Sequence, residues 1–185
     1  GSGSGKASAL LFAKEGAAVV AADLNGEAAR ATAESIQAEG GRASHVQGDV
    51  GEPGDARRMV EHAIAAFGRI DVLFNNAGIG HVGRVHETEI EDWDRLIRVH
   101  VRGTFLMCKY AIPHMIEAGG GVIINMSSAI AQTGLAQRAA YSAAKGAILS
   151  LTRSMAVDYA PYNIRVNALC PGTIYTPFVE NYLKT

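Results

Sequence analysis

Short runs of aliphatic and β-branched residues recur along this chain, each separated from the next by a longer stretch with apolar residues at intervals of three and four. The short runs are 17–22 (AAVVAA), 43–47, 70–74 (IDVLF), 122–126 (VIINM) and 164–169 (IRVNAL). The stretches between them, 7–15, 27–38, 56–67, 89–117 and 141–159, have the spacing of helices. Strand–helix alternation of this kind predicts parallel β–α–β units: an α/β fold with a doubly wound parallel sheet in three αβα layers. The strands are apolar on both faces, as expected where helices cover both sides of a sheet.

Each predicted strand runs into polar residues or glycine at its C-terminal end. These are Asp23, Asp49, Asn76 with Gly78, Ser128, and Pro171-Gly172. Ligands of open α/β sheets bind outside the carboxyl ends of the strands. The candidate chemistry is therefore expected along one edge.

Composition narrows the picture further. At 185 residues, 48% hydrophobic and 19% charged, the chain suits one globular domain with a sizeable core. A net charge of −1 without long basic runs argues against nucleic acid or an anionic membrane as main partner. No stretch is apolar for long enough to span a bilayer. Cys108 and Cys170 match no metal spacing and read as reduced thiols, so no metal site and a cytoplasmic location are expected. The opening GSGSGK lacks the apolar core of a signal peptide.

The chemistry centres on Tyr141 and Lys145, four apart on a predicted helix, with Ser128 at a strand end upstream. Residues at that spacing share a helix face, and an ammonium one turn away favours phenolate over phenol. A hydroxyl from a separate strand can reach the same substrate oxygen. Alone, Tyr-x-x-x-Lys is also an ordinary surface-helix pattern.

The glycines of the opening segment are either a flexible linker or the end of a glycine loop that brings backbone close to a pyrophosphate at a helix N-terminus. Ala7 after Lys6 excludes a P-loop, which needs Ser or Thr there. Gly5 precedes Asp23 by a helix and a strand, close to the roughly 20 residues of a dinucleotide fingerprint. Asp23 would accept from ribose hydroxyls and repel a 2′-phosphate, or serve as a turn aspartate before the next helix. Asn75-Asn76-Ala77-Gly78 reads as a turn, or as a small-residue loop against which a flat ring can lie.

Taken together, Gly3 and Gly5, Asp23, Asp49-Val50, Asn75-Asn76-Ala77-Gly78, Ser128, Tyr141 with Lys145, and Pro171-Gly172 with Thr176 resemble the short-chain dehydrogenase/reductase family in order and spacing. The resemblance covers essentially the whole chain and implies an NAD(P)-dependent Rossmann oxidoreductase acting on a small secondary alcohol or ketone. It implies Tyr141 as general acid/base, Lys145 on the nicotinamide ribose, and Ser128 on the substrate oxygen. Asp23 would bind the adenosine ribose, which favours NAD over NADP. Asp49 and Val50 would bind adenine. Asn76, Ala77 and Gly78 would line the cofactor, and Ile174 and Thr176, after Pro171-Gly172, would meet the carboxamide. The family's helices corresponding to 89–117 and 141–159 pair between subunits, which implies a homo-oligomer, dimer or tetramer.

Three departures from the family pattern stand out. His100 occupies the place of an asparagine that supports a proton relay to the lysine; it is either a histidine packed in its helix or, the reading preferred, a titratable substitute in that relay. Ser4 stands where an aliphatic residue is usual, and the family's first strand, central between those ending at Asp23 and Asn75, has no counterpart; two unpaired interior edges are expected. The chain also stops at Thr185, where the family continues into a substrate-covering helical segment and a last strand, so residues 1–185 are expected to be one Rossmann domain truncated at both ends, within a chain of roughly 250 residues. Segments 81–84 and 129–138 would flank the substrate, where Gln132, Gln137 and Arg138 are either ordinary solvent-facing loop residues or a hint of a polar or anionic molecule, and His81 either lines the pocket or sits on its loop. Two other classes share the fold: a non-catalytic NAD-binding regulator and an extended-family epimerase. The intact Ser–Tyr–Lys set weighs against the first, the Asn-Asn-Ala-Gly and Pro-Gly segments against the second.

Overall fold

The computed structural model describes residues 3–174. Helix α1 (Gly3–Lys14) leads to β1 (Val19–Asp23), α2 (Gly26–Ala38), β2 (Ala43–Gln47), α3 (Pro53–Phe67) and β3 (Val72–Asn75). Then follow α4 (Ile90–Leu96), a π-helical turn (Ile97–Arg102), α5 (Gly103–Glu117), β4 (Gly121–Met126), α6 (Ile130–Thr133), α7 (Ala139–Tyr159) and β5 (Ile164–Leu169). The alternation expected from the sequence is present, and every strand pairing is parallel.

Local chemistry sets the element ends. Asn25 caps α2, its side chain accepting from the Ala28 N–H at 3.2 Å. Pro53 starts α3, three residues before the apolar spacing begins, because proline lacks only an N–H that the first turn leaves unused. Gly68 ends α3 at φ +79°, a conformation that glycine adopts without a Cβ penalty.

Residues 89–117 were expected as one helix. The structure interrupts it with the π turn, where the Gly103 N–H reaches back to Arg98 O. Apolar spacing cannot separate i→i+4 from i→i+5 bonding over a single turn. The short α6 has no counterpart among the expected helices.

Among the described residues the strands form two sheets, β1-β2 and β3-β4-β5. A cavity of about 1410 Å³ lies between them, its walls including Val19 to Ala22 on one side and Val72 to Asn75 on the other. The two unpaired interior edges expected from the sequence are therefore β1 and β3. Within the second sheet the register pairs Asn75 with Asn125 and Met126 with Leu169, bringing three strand ends level.

The core sits where α5 and α7 cover this sheet. Ile123 and Met115 are fully buried, with Ile112, Met155, Ile164 and Val166 packed around them. Burying aliphatic side chains of this size contributes roughly 1.5–3 kcal/mol each. No helix among the described residues is long and apolar enough to cross a membrane.

Candidate active site

The strand ends open onto the same cavity, and nearly all the sequence-predicted site residues line it. Gly3, Gly5 and Asp23 do so at the first sheet, with Asp49 and Val50 just beyond it. Asn76, Ala77, Gly78, Ser128, Pro171, Gly172 and Ile174 do so after the strands of the second. His100, Tyr141 and Lys145 project into it from helices. Thr176 lies outside the described residues.

Gly3 and Gly5 belong to the first turn of α1, with Gly3 at φ +56°. That turn meets the end of β3. A Cβ on Gly5 would lie 2.7 Å from Asn76 Nδ2, so a larger residue there would push the Asn76 side chain aside. Ser4, the departure noted above, donates from Oγ to Asn76 Oδ1 at 3.3 Å.

Tyr141 and Lys145 share a face of α7. The Lys145 ammonium donates to the Met126 carbonyl oxygen at 2.7 Å and lies 5.5 Å from the centroid of the Tyr141 ring. Lys145 is 3% exposed, and burial pushes it down to about 8. Ser127 supports the same helix turn by donating from Oγ to Lys145 O at 2.9 Å. Ser128, half-buried, accepts from the Ile130 N–H at 3.4 Å.

His100, in the π turn, packs edge-on against Tyr141 with centroids 5.6 Å apart. Its Nε2 lies 2.6 Å from Ile79 O and 3.2 Å from Ile79 N. One nitrogen cannot donate and accept at once, and the shorter contact makes Nε2–H the donor to Ile79 O. Nδ1 is then a buried bare acceptor, with no hydrogen-bond partner in the structure. Burial first, and the Lys145 charge second, push His100 down to about 4, so the ring is neutral. Its edge also explains Gly78: a Cβ there would lie 2.6 Å from His100 Cε1.

The segments expected to flank the substrate do meet. The Gly83 N–H donates to Gln137 O at 2.9 Å, and Gln137 sits at φ +58°. His81 and Arg138 line the cavity, whereas Gln132 and Gln137 are exposed and do not. Met126 O, Ser127 and Ile79 were missed by sequence reasoning. The Ser127-Ser128 doublet was a visible signal; a backbone carbonyl has none.

A family profile described as short chain dehydrogenase matches residues 1–185. An uncharacterized oxidoreductase of Thermotoga maritima is 48% identical over 94% of this chain and 68% of its own length. Cyclohexanol dehydrogenase of an Acinetobacter species is 40% identical over 98% of this chain and 73% of its own. The crystal structure of a gluconate 5-dehydrogenase from Burkholderia cenocepacia, in complex with NADP and tartrate, superimposes with a TM-score of 0.91 at 36% identity, covering 100% of this chain and 74% of that one. Sequence match and fold agree: the chain belongs to the short-chain dehydrogenase/reductase family of oxidoreductases.

Proposed function

We propose that the protein transfers a hydride between NAD and the carbon of a secondary alcohol or ketone, with Tyr141 giving and taking the proton. The observation that carries this reading is the buried Lys145 ammonium beside the Tyr141 ring, at a cavity that Ser128 also lines. In this reading the ammonium stabilises the phenolate, so Tyr141 can accept the alcohol proton or return it to the ketone oxygen. Ser128 hydrogen-bonds the same oxygen and orients it.

The residues present fit a dinucleotide. The first turn of α1 offers backbone N–H groups to a pyrophosphate, with Gly5 close against the Asn76 side chain beyond β3. Asp23, at the end of β1, offers a carboxylate to ribose hydroxyls and none of the positive charge that a 2′-phosphate needs. Asp49 and Val50 take the adenine, Asn76, Ala77 and Gly78 the centre, and Ile174 with Pro171-Gly172 the nicotinamide end; Thr176 joins them by sequence alone. When bound, the nicotinamide supplies the hydride chemistry, and the chain's part is alignment and one tuned proton.

His100 enters this reading as a member of the proton relay to Lys145, through its buried, unpartnered Nδ1. If His100→Asn leaves the pH–rate profile unchanged, that part fails. Residues 1–185 are read as one dinucleotide-binding domain. Exposed Phe105 and Val157, on α5 and α7, support self-association through those helices.

The deciding experiment is a panel of secondary alcohols and hydroxy acids assayed with the full-length protein, NAD and NADP being compared at the nicotinamide absorbance. Turnover abolished by Tyr141→Phe is the expected result. Absence of turnover across the panel, with NAD bound, would favour a regulator instead.

A further inference from the structure

The π turn is fastened to two different loops of the cavity. On one side His100 holds Ile79, just beyond the Asn76-Ala77-Gly78 segment. Two residues earlier, Arg98 reaches the loop that follows β2. Its Nη1 donates to Asp49 Oδ2 at 2.7 Å and to Glu52 Oε1 at 3.0 Å. Asp49 Oδ1 accepts from the Gly51 N–H at 2.8 Å, and the Asp49 N–H donates to Asp55 Oδ2 at 2.8 Å.

Shape reinforces charge here. A Cβ on Gly51 would lie 2.9 Å from Arg98 Cγ, and one on Gly103 would lie 2.7 Å from Val50 Cγ2. Loop and π turn are thus in van der Waals contact at two glycines. The ion pair is partly exposed, 35% at Arg98 and 20% at Asp49, so its contribution to global stability is modest. What it fixes is the placement of the loop.

We propose that Arg98 is a positioning residue for the adenine half of the cofactor. It holds Asp49 and Val50 against the π turn, so the adenine-side loop and the Asn76-Ala77-Gly78 loop at the cofactor's centre keep one relative placement. This rests on the assignment of adenine to Asp49 and Val50 made above.

The test uses the full-length protein, with NAD, adenosine monophosphate and nicotinamide mononucleotide as calorimetric probes beside steady-state kinetics. Arg98→Met is expected to raise the KM for NAD about tenfold and leave kcat within about twofold, the pattern of lost uniform binding. Adenosine monophosphate should weaken in parallel, nicotinamide mononucleotide should not, and Arg98→Lys should recover part of the loss. Where the methionine variant does not fold, Arg98→Gln carries the same expectation. An unchanged KM for NAD overturns the proposal, as does a loss of kcat and mononucleotide binding together, which marks general damage. Asp49→Asn separates the two levels. If it leaves adenosine monophosphate binding at the wild-type value, the adenine assignment fails and the proposal with it. If it weakens that binding while Arg98→Met does not, only the role of Arg98 fails.

Discussion

The Lys145 ammonium is tied to the Met126 carbonyl oxygen at 2.7 Å, and this bond keeps a buried cation beside the Tyr141 ring. The cation is held at the end of β4, the strand that also delivers Ser127 and Ser128, so the Tyr141/Lys145 pair of the helix and the two serines of the strand end share one anchor.

Removing the cation should cost catalysis. Lys145→Met is expected to lower kcat/KM by roughly 10²–10⁴-fold, the range for a disabled proton-transfer group. It should also change the pH dependence of stability. Burial holds Lys145 near 8, below its usual 10.5. Below about pH 8 it is charged in the folded and unfolded chains alike, and its desolvation cost is constant. Between about pH 8 and 10.5 the unfolded chain binds the extra proton, so folded wild type gains stability across that window. Denaturation of both proteins at the two ends of the window checks this; parallel curves would refute it.

His100 titrates on the acid side. Its folded value of about 4 lies below the usual 6.5, so between these limits the unfolded chain binds the proton and the folded chain does not. Stability is therefore lost as pH falls through the window, by up to about 3 kcal/mol. His100→Asn should show a shallower acid loss in urea denaturation across the same range. An identical slope would mean that His100 is not the neutral buried ring described.

Cofactor choice should follow Asp23. The wild type is expected to prefer NAD, and Asp23→Ser to narrow the NAD/NADP ratio of kcat/KM by about tenfold, equivalent to about 1.4 kcal/mol of removed charge repulsion. A wild type that favours NADP would refute the assignment.

A buried polar ladder ties the sheet to α7. Asn75 Nδ2 donates to Asn125 Oδ1 at 2.9 Å, and Asn125 Nδ2 donates to Thr152 Oγ1 at 2.9 Å. Asn125 is fully buried. Asn125→Ala leaves Asn75 short of an acceptor and should cost roughly 2–4 kcal/mol of unfolding free energy. A loss below about 0.5 kcal/mol would show that water replaces the amide.

What could be read in advance was whatever is written in local pattern. Strand ends carried their chemistry as letters, so Asp23, Asn76, Ser128 and the Tyr141/Lys145 pair could be placed on one edge before any coordinates. Two strands left with open edges followed from counting the runs against the family's order. Contacts made by backbone were not legible: Met126 enters through its carbonyl and Ile79 through its peptide groups, neither of which depends on the side chain named in the sequence. Nor was the link between Arg98 and Asp49, since a distant pair of opposite charges has many equally plausible partners until the fold chooses one. The π turn hid for a third reason, because one extra residue within a single turn stays inside the ordinary scatter of helical apolar spacing.

That extra residue makes chain length at 97–102 a determinant of the site in its own right. Each residue of a helix turns it by about 100°. Deleting one here would let ordinary helical bonding close the gap, and would swing Arg98 and His100 away from Asp49 and Ile79 together. The loops after β2 and β3 would come loose from each other although every residue that tethers them to the turn was still encoded.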